Sequence, residues 1–200
     1  SILLTTDEDR DATRACFVMN DHPGIFTRIT GALALVGANV VDARAYTSKD
    51  GFGTNAFWIQ DDQGHPYDTK KLSRLKTMIE KTLHGEVIPQ KVLKDKIKKR
   101  ERDFAVPTSI TFNNKGSDIY TIIEVDTRDR KGLLYDLSKT LTNANIYIAS
   151  AVISTYGAQV VDTFYIKDMF GLKLHSKSKK DKIETKLREA ILEGFERAIL

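Results

Sequence analysis

The strongest constraint on this chain is an internal repeat at a spacing of 108 residues. Asp21-His22-Pro23-Gly24-Ile25-Phe26 recurs as Asp129-Arg130-Lys131-Gly132-Leu133-Leu134. At the same spacing Ala15 and Phe17 match Ile123 and Val125, Leu33 matches Leu141, Ala43 matches Ala151 and Thr47 matches Thr155. Farther on, Phe57-Trp58-Ile59 and Asp61 match Phe164-Tyr165-Ile166 and Asp168 at a spacing of 107, one residue being lost in a turn. Leu75, Ile79 and Leu83 then match Ile183, Leu187 and Ile191, again at 108. Few of these pairs are identities, but apolar character, order and spacing agree. Such self-similarity marks a duplication.

Each copy reads in the same way. A strand near residues 15–20 or 120–127 runs into a tight Asp-x-x-Gly turn. A helix follows, with Ile25, Ile29, Ala32, Leu33 and Val36 at helical spacing in one copy and Leu133, Leu137, Leu141 and Ala144 in the other. Gly37 and Asn143 are expected to end these helices with positive φ. Strands are expected at 40–46 and 148–155, then a turn at Lys49-Asp50-Gly51 or Tyr156-Gly157-Ala158, then strands at 55–60 and 161–167. A second helix covers about 69–83 and 181–198. Helices alternating with strand pairs predict an α+β fold: two ferredoxin-like sandwiches, each an antiparallel sheet covered on one face. The missing fourth strand is expected ahead of each copy, at Ile2-Leu3-Leu4 and Ile110-Thr111-Phe112, giving ββαββα order. In the competing arrangement residues 109–112 close the first copy. The expected domains are 1–86 and 108–200, joined by a basic linker over 87–107.

Charge is informative only by location. Residues 91–102 hold seven Lys/Arg and two acids, a local +5 against +4 for the whole chain, so the rest is near neutral at −1. Leu93 and Ile97 fall at helical spacing there, so a solvated linker helix is expected. Clustered cations can hold phosphates, but no aromatics are interleaved for base stacking, so no nucleic-acid or membrane partner is expected. The single cysteine, Cys16, excludes an internal disulfide framework and suits a cytoplasmic location; its apolar neighbours predict a buried, inert thiol. Residues 1–10 lack the pattern of a secretory signal, and Ser1 stands where an initiator Met would, as in a piece of a longer protein.

The strand, the Asp-x-Pro-Gly-[Ile/Leu]-[Phe/Leu] turn and the helix ending in Gly-Ala-Asn-Val resemble the ACT domain family of amino-acid-binding regulatory modules. Three longer stretches are Gly31-Ala-Leu-Ala-Leu-Val-Gly-Ala-Asn-Val-Val-Asp-Ala-Arg44, Pro107-Thr-Ser-Ile-Thr-Phe-Asn-Asn114 and Val160-Val-Asp-Thr-Phe-Tyr-Ile-Lys-Asp168. They resemble the C-terminal tandem ACT region of the bacterial PII uridylyltransferase/uridylyl-removing enzyme family. That resemblance implies a module that senses glutamine and switches the catalytic domains of its parent chain, with a homodimer as a further partner. It also implies a parent similar to Mg-dependent nucleotidyltransferases, whereas this chain is expected to need no cofactor. The second copy departs from the pattern at Lys131, where the family has Pro and its fixed φ.

A free amino acid offers a carboxylate, an ammonium and a side chain. Each first helix starts at the Gly turn, where unpaired backbone N–H groups and the helix dipole favour an anion, and a glycine admits close approach. Candidate ligand contacts are therefore Gly24, Ile25 and Phe26, with Gly132, Leu133 and Leu134. Asp21 and Asp129 are candidate acceptors for the ammonium, with Asn20, His22 and Arg130 beside them. Asn39 and Val40, or Tyr147 and Ile148, are expected to form the opposite wall. The plainer readings are an Asp N-cap and apolar first-turn residues that belong to the core.

Nothing points to catalysis. Gly116-Ser117 lacks closely paired carboxylates after it, and Asp126 and Asp129 flank a turn inside the repeat. His22, His65, His84 and His175 are scattered without metal-ligand spacing, and no phosphate loop is present. A ligand-free dimerisation or interaction module is the alternative.

Overall fold

The computed structural model describes residues 1–20, 24–47, 52–85 and 107–199. The Lys49-Asp50-Gly51 turn and residues 91–102 lie outside them. The first copy consists of β1 (Ile2–Asp7), β2 (Ala12–Asn20), α1 (Ile25–Leu35), β3 (Asn39–Thr47), β4 (Phe52–Gln60) and α2 (Leu72–Leu83), the last preceded by a 3-10 turn at Thr69–Lys71. The second consists of β5 (Ser109–Asn113), β6 (Thr121–Arg128), α3 (Leu133–Asn143), β7 (Ile146–Tyr156), β8 (Gln159–Asp168) and α4 (Lys177–Ile199). Both run ββαββα. The extra strands belong to their own copies, since β1 pairs β2 and β5 pairs β6, both antiparallel.

All eight strands form one antiparallel sheet in the order β1-β2-β4-β3-β7-β8-β6-β5. The two copies meet where β3 pairs β7, with Asp42 opposite Val152, Ala43 opposite Ala151 and Arg44 opposite Ser150. Ala43 and Ala151 are equivalent in the repeat, so this junction is self-complementary, like the interface of a two-fold dimer. The helices repeat the relation: Thr30 Oγ1 on α1 lies 3.0 Å from Ser138 Oγ on α3, again equivalent positions 108 apart. A pseudo-two-fold axis therefore passes through Ala43/Ala151 and Thr30/Ser138.

Alternation explains the packing. In β4, Phe57 and Ile59 point inward and are buried, and in β8 Val160, Phe164 and Ile166 do the same. They join Ile29 and Leu33 of α1 and Leu137 and Leu141 of α3 in an apolar cluster that runs through both copies. Phe57 is the centre of an aromatic contact set, its ring centroid 5.8 Å from Phe17 and 5.1 Å from Phe26. The opposite face carries a smaller cluster of Ala12, Ala56 and Trp58. Cys16 packs there and is half-buried rather than buried, because its strand phase faces away from the helices.

The expected helix end at Asn143 is displaced. Asn143 is still helical, and the residue with positive φ is Asn145, at 58°. Asn145 stands 108 after Gly37, whose φ is 78°, so the repeat register locates the cap where residue type alone does not. Both β3 and β7 shift register just after their start, between Val40 and Asp42 and between Ile148 and Ser150, again 108 apart.

Candidate functional site

Both glycine turns have the expected local geometry. Gly24 (φ 89°) and Gly132 (φ 77°) are left-handed and stand at the N-caps of α1 and α3, and as glycines neither brings a side chain that could cap its own helix. The Asp N-cap reading therefore does not describe Asp129: its backbone N–H donates to the Ala158 carbonyl, and its side chain leaves the helix start uncapped. Two glycine-begun helix N-termini of opposite repeats thus turn backbone amides toward their surroundings, although the Leu133 N–H of α3 already donates to the Arg130 carbonyl at 3.2 Å.

Each turn opens into a cleft between the copies, and the walls are crossed. In the first cleft, of about 720 Å³, Gly24, Ile25 and Phe26 face Asn145, Ile146, Tyr147 and Ile148 of the second copy. In the second, of about 290 Å³, Asp129, Arg130, Gly132, Leu133 and Leu134 face Gly37, Asn39 and Val40 of the first copy. Wall residues expected beside their own turn thus sit across the pseudo-two-fold axis from it, because the β3–β7 pairing brings each strand start up to the other copy's helix. Small-molecule sites span roughly 300–1,000 Å³, so both clefts have a suitable scale.

Other expected site residues fall differently. Asn20 ends β2 opposite Phe52 and lines neither cleft. Asp21 and His22 lie outside the described residues. Ile25, Phe26 and Leu133 border the clefts, but their side chains are buried in the apolar cluster, so the core reading holds for them as well. Arg130 lines the second cleft with its guanidinium committed elsewhere: Nη2 donates to Asp136 Oδ2 at 2.6 Å, and Arg197 reaches the same oxygen at 2.8 Å. Asp129 stands at the exposed rim, where desolvation pushes its carboxyl up against the opposing pull of the Arg130 backbone N–H and guanidinium.

Sequence reasoning missed the deepest polar groups. Asn55 on β4 lines the first cleft and Asp162 on β8 lines the second. They are 2% and 1% exposed, and Oδ1 of each is a buried oxygen without a hydrogen-bond partner. Burial, with the charge of Asp129 adding to it, pushes the Asp162 carboxyl up to about 8. The signal was available: both residues occupy the inward phase of otherwise apolar strands. The rim of the first cleft adds Tyr120 and Lys167, the ammonium of Lys167 lying 5.0 Å from the Tyr120 ring centroid.

Among the described residues no cluster of His, Cys, Asp and Glu could hold a metal ion, and no helix is long and apolar enough to cross a membrane. The clefts offer acceptors, backbone amides and apolar walls, an arrangement suited to holding a small zwitterion.

Residues 109–200 match a family model described as an ACR9-like, ACT-like domain. The chain is similar to the bifunctional uridylyltransferase/uridylyl-removing enzyme of Ruegeria pomeroyi, 70% identical over 98% of this chain and 22% of that protein. It is also similar to the enzymes of the same description from Cereibacter sphaeroides, 69% identical over 94% of this chain and 20% of that protein, and Azospirillum brasilense, 42% identical over 92% and 20%. The chain therefore spans about a fifth of the length of these curated relatives. Among solved structures, aspartate kinase from Synechocystis aligns with 91% of this chain and 27% of its own, at 14% identity and a TM-score of 0.44. Residues 109–200 thus carry an ACT-like domain, the first copy repeats its ββαββα order, and the chain is similar along nearly its whole length to about a fifth of the uridylyltransferase/uridylyl-removing enzymes.

Proposed function

We propose that this tandem pair is a regulatory module that binds a free amino acid, glutamine in the first instance, in the clefts between its copies. Through that binding it controls the uridylyltransferase and uridylyl-removing activities of a larger chain, and catalysis resides outside these residues. The observation that carries this reading is the crossed pair of clefts, each with a glycine helix start on one side and the other copy's strand start across from it. A ligand carboxylate meets the helix amides, and the remainder of the ligand reaches the other copy. Contact with both copies at once lets the ligand favour one arrangement of the pair over another, which a regulator requires, because equal affinity for both states shifts nothing.

Calorimetric titration of the chain with L-glutamine tests this. Saturable heat that a Gly132→Val substitution reduces supports the reading. No saturable heat with glutamine or any other proteinogenic amino acid overturns it and leaves a ligand-free interaction module.

A further inference from the structure

We propose that Asn55 and Asp162 are the ligand-recognising groups in the depths of the two clefts, and that Asp162 receives the ammonium of the amino acid bound against the Asp129–Gly132 turn. This deepens the proposed function and rests on it.

Three independent observations converge. First, the two residues are repeat equivalents, 107 apart, the same spacing that relates Phe57 to Phe164. Second, both take the inward phase of their strands, next to fully buried Phe57 and Phe164, where an apolar side chain would pack without loss. Third, they are the two buried side-chain polar groups left with an unpartnered atom among the described residues, and each lines a different cleft. An unmet buried acceptor costs on the order of 1–3 kcal/mol, more for a charge. A donor arriving with a ligand removes that deficit.

The chemistry orients the ligand. An ammonium brings three donors and no acceptor; on binding it takes the place of the proton that Asp162 holds in the absence of ligand, which passes to solvent and leaves a carboxylate that only accepts hydrogen bonds. The carboxylate end of an amino acid has its own place at the glycine start of α3. With that end fixed, the ammonium faces Asp162. The other ionisable groups lining this cleft are Asp129, Arg130, Lys131, Tyr135 and Asp62. Arg130 is held by Asp136, so it does not neutralise Asp162. In the first cleft the same place holds the neutral amide of Asn55, which can accept or donate. The two clefts therefore differ in how strongly they demand an ammonium.

Titration followed by isoleucine methyl resonances separates the clefts, since Ile153 lines the second and Ile148 the first. The probes are L-glutamine and glutaramate, which keeps the carboxylate and amide of glutamine but has hydrogen in place of the ammonium. At Ile153, glutamine is expected to bind at least about tenfold more tightly than glutaramate, and Asp162→Asn to remove that preference while the Ile148 midpoint stays put. Asn replaces Asp without change of shape; should that variant fold poorly, the comparison of the two probes on the unaltered chain decides alone. Equal affinity of the two probes at Ile153, or an unchanged preference in Asp162→Asn, overturns this inference and leaves the proposed function standing. If neither methyl responds to any proteinogenic amino acid, both fall.

Discussion

Gly24 and Gly132 hold conformations that an L side chain adopts only with strain, at φ 89° and 77°. A Cβ at Gly24 would also stand 3.4 Å from Thr142 Cγ2 on the facing helix. Replacing either glycine with valine is therefore expected to destabilise the chain by about 1–2 kcal/mol and to block close approach of a carboxylate to the helix start. Thermal melts and glutamine titrations of the two variants check both effects. Asp162 gives a prediction in pH. Its carboxyl titrates near 8 in the fold, against the ordinary value of 3.8 in the unfolded chain. The folded state therefore holds a proton that the unfolded state has lost between those values. Stability from this group is present below pH 4 and is lost as pH rises toward 8. Asp129 at the rim adds a push of the same sign. Melting temperature should fall from pH 5 to 8 more steeply in the parent chain than in Asp162→Asn; equal slopes would refute the burial of an ionisable carboxyl here. At this scale the sequence was readable where geometry demands one residue type, as at Gly24, Gly37 and Gly132. Asn145 was missed in favour of Asn143 because two asparagines lie within two residues, and only the repeat register separates them. Asn55 and Asp162 were hidden within strands whose other inward residues, such as Phe57, Ile59, Val160, Phe164 and Ile166, are apolar, although strand alternation marks them.

The elements explain how the turns are held. Behind the second cleft, α3 and α4 are joined by a buried charge set. The side chains of Arg130 and Asp136 are 7% and 9% exposed, and Arg197 completes the group from α4. Arg130 also lies over Gly194, where a Cβ would collide with its guanidinium. Substituting Asp136 with alanine strands a buried cation and is expected to cost on the order of 3–5 kcal/mol, read as a shift in denaturant midpoint. Gly194→Ala should disturb the same contact from the other side. In the first copy the position equivalent to Asp136 is Arg28, whose Nη2 donates to the Leu83 carbonyl at 2.5 Å. Strand and helix order were legible because strand alternation and helix spacing are local properties of the residues. The crossing of the cleft walls was not, for it depends on the edge pairing of β3 with β7, and an antiparallel edge match leaves no mark in either strand alone.

The whole molecule is one sheet of eight strands whose centre is a self-complementary seam at Ala43 and Ala151. Duplication yields two clefts related by a pseudo-two-fold axis, yet divergence has given them different volumes and different deep groups, an amide in one and an acid in the other. A ligand in either cleft bridges the copies, so saturation should raise the stability of the pair; at a hundredfold excess over Kd the gain is about 2.7 kcal/mol per site. A melt that does not move with glutamine at such excess would argue against a site between the copies. The central claim is that the amino acid sits between a glycine turn of one copy and a strand start of the other. A crystal structure of the chain with L-glutamine tests this most directly. The account predicts the ligand carboxylate on the amides following Gly24 or Gly132, with its other end against Tyr147 and Ile148, or Asn39 and Val40. Glutamine bound within a single copy, or away from both turns, would contradict it.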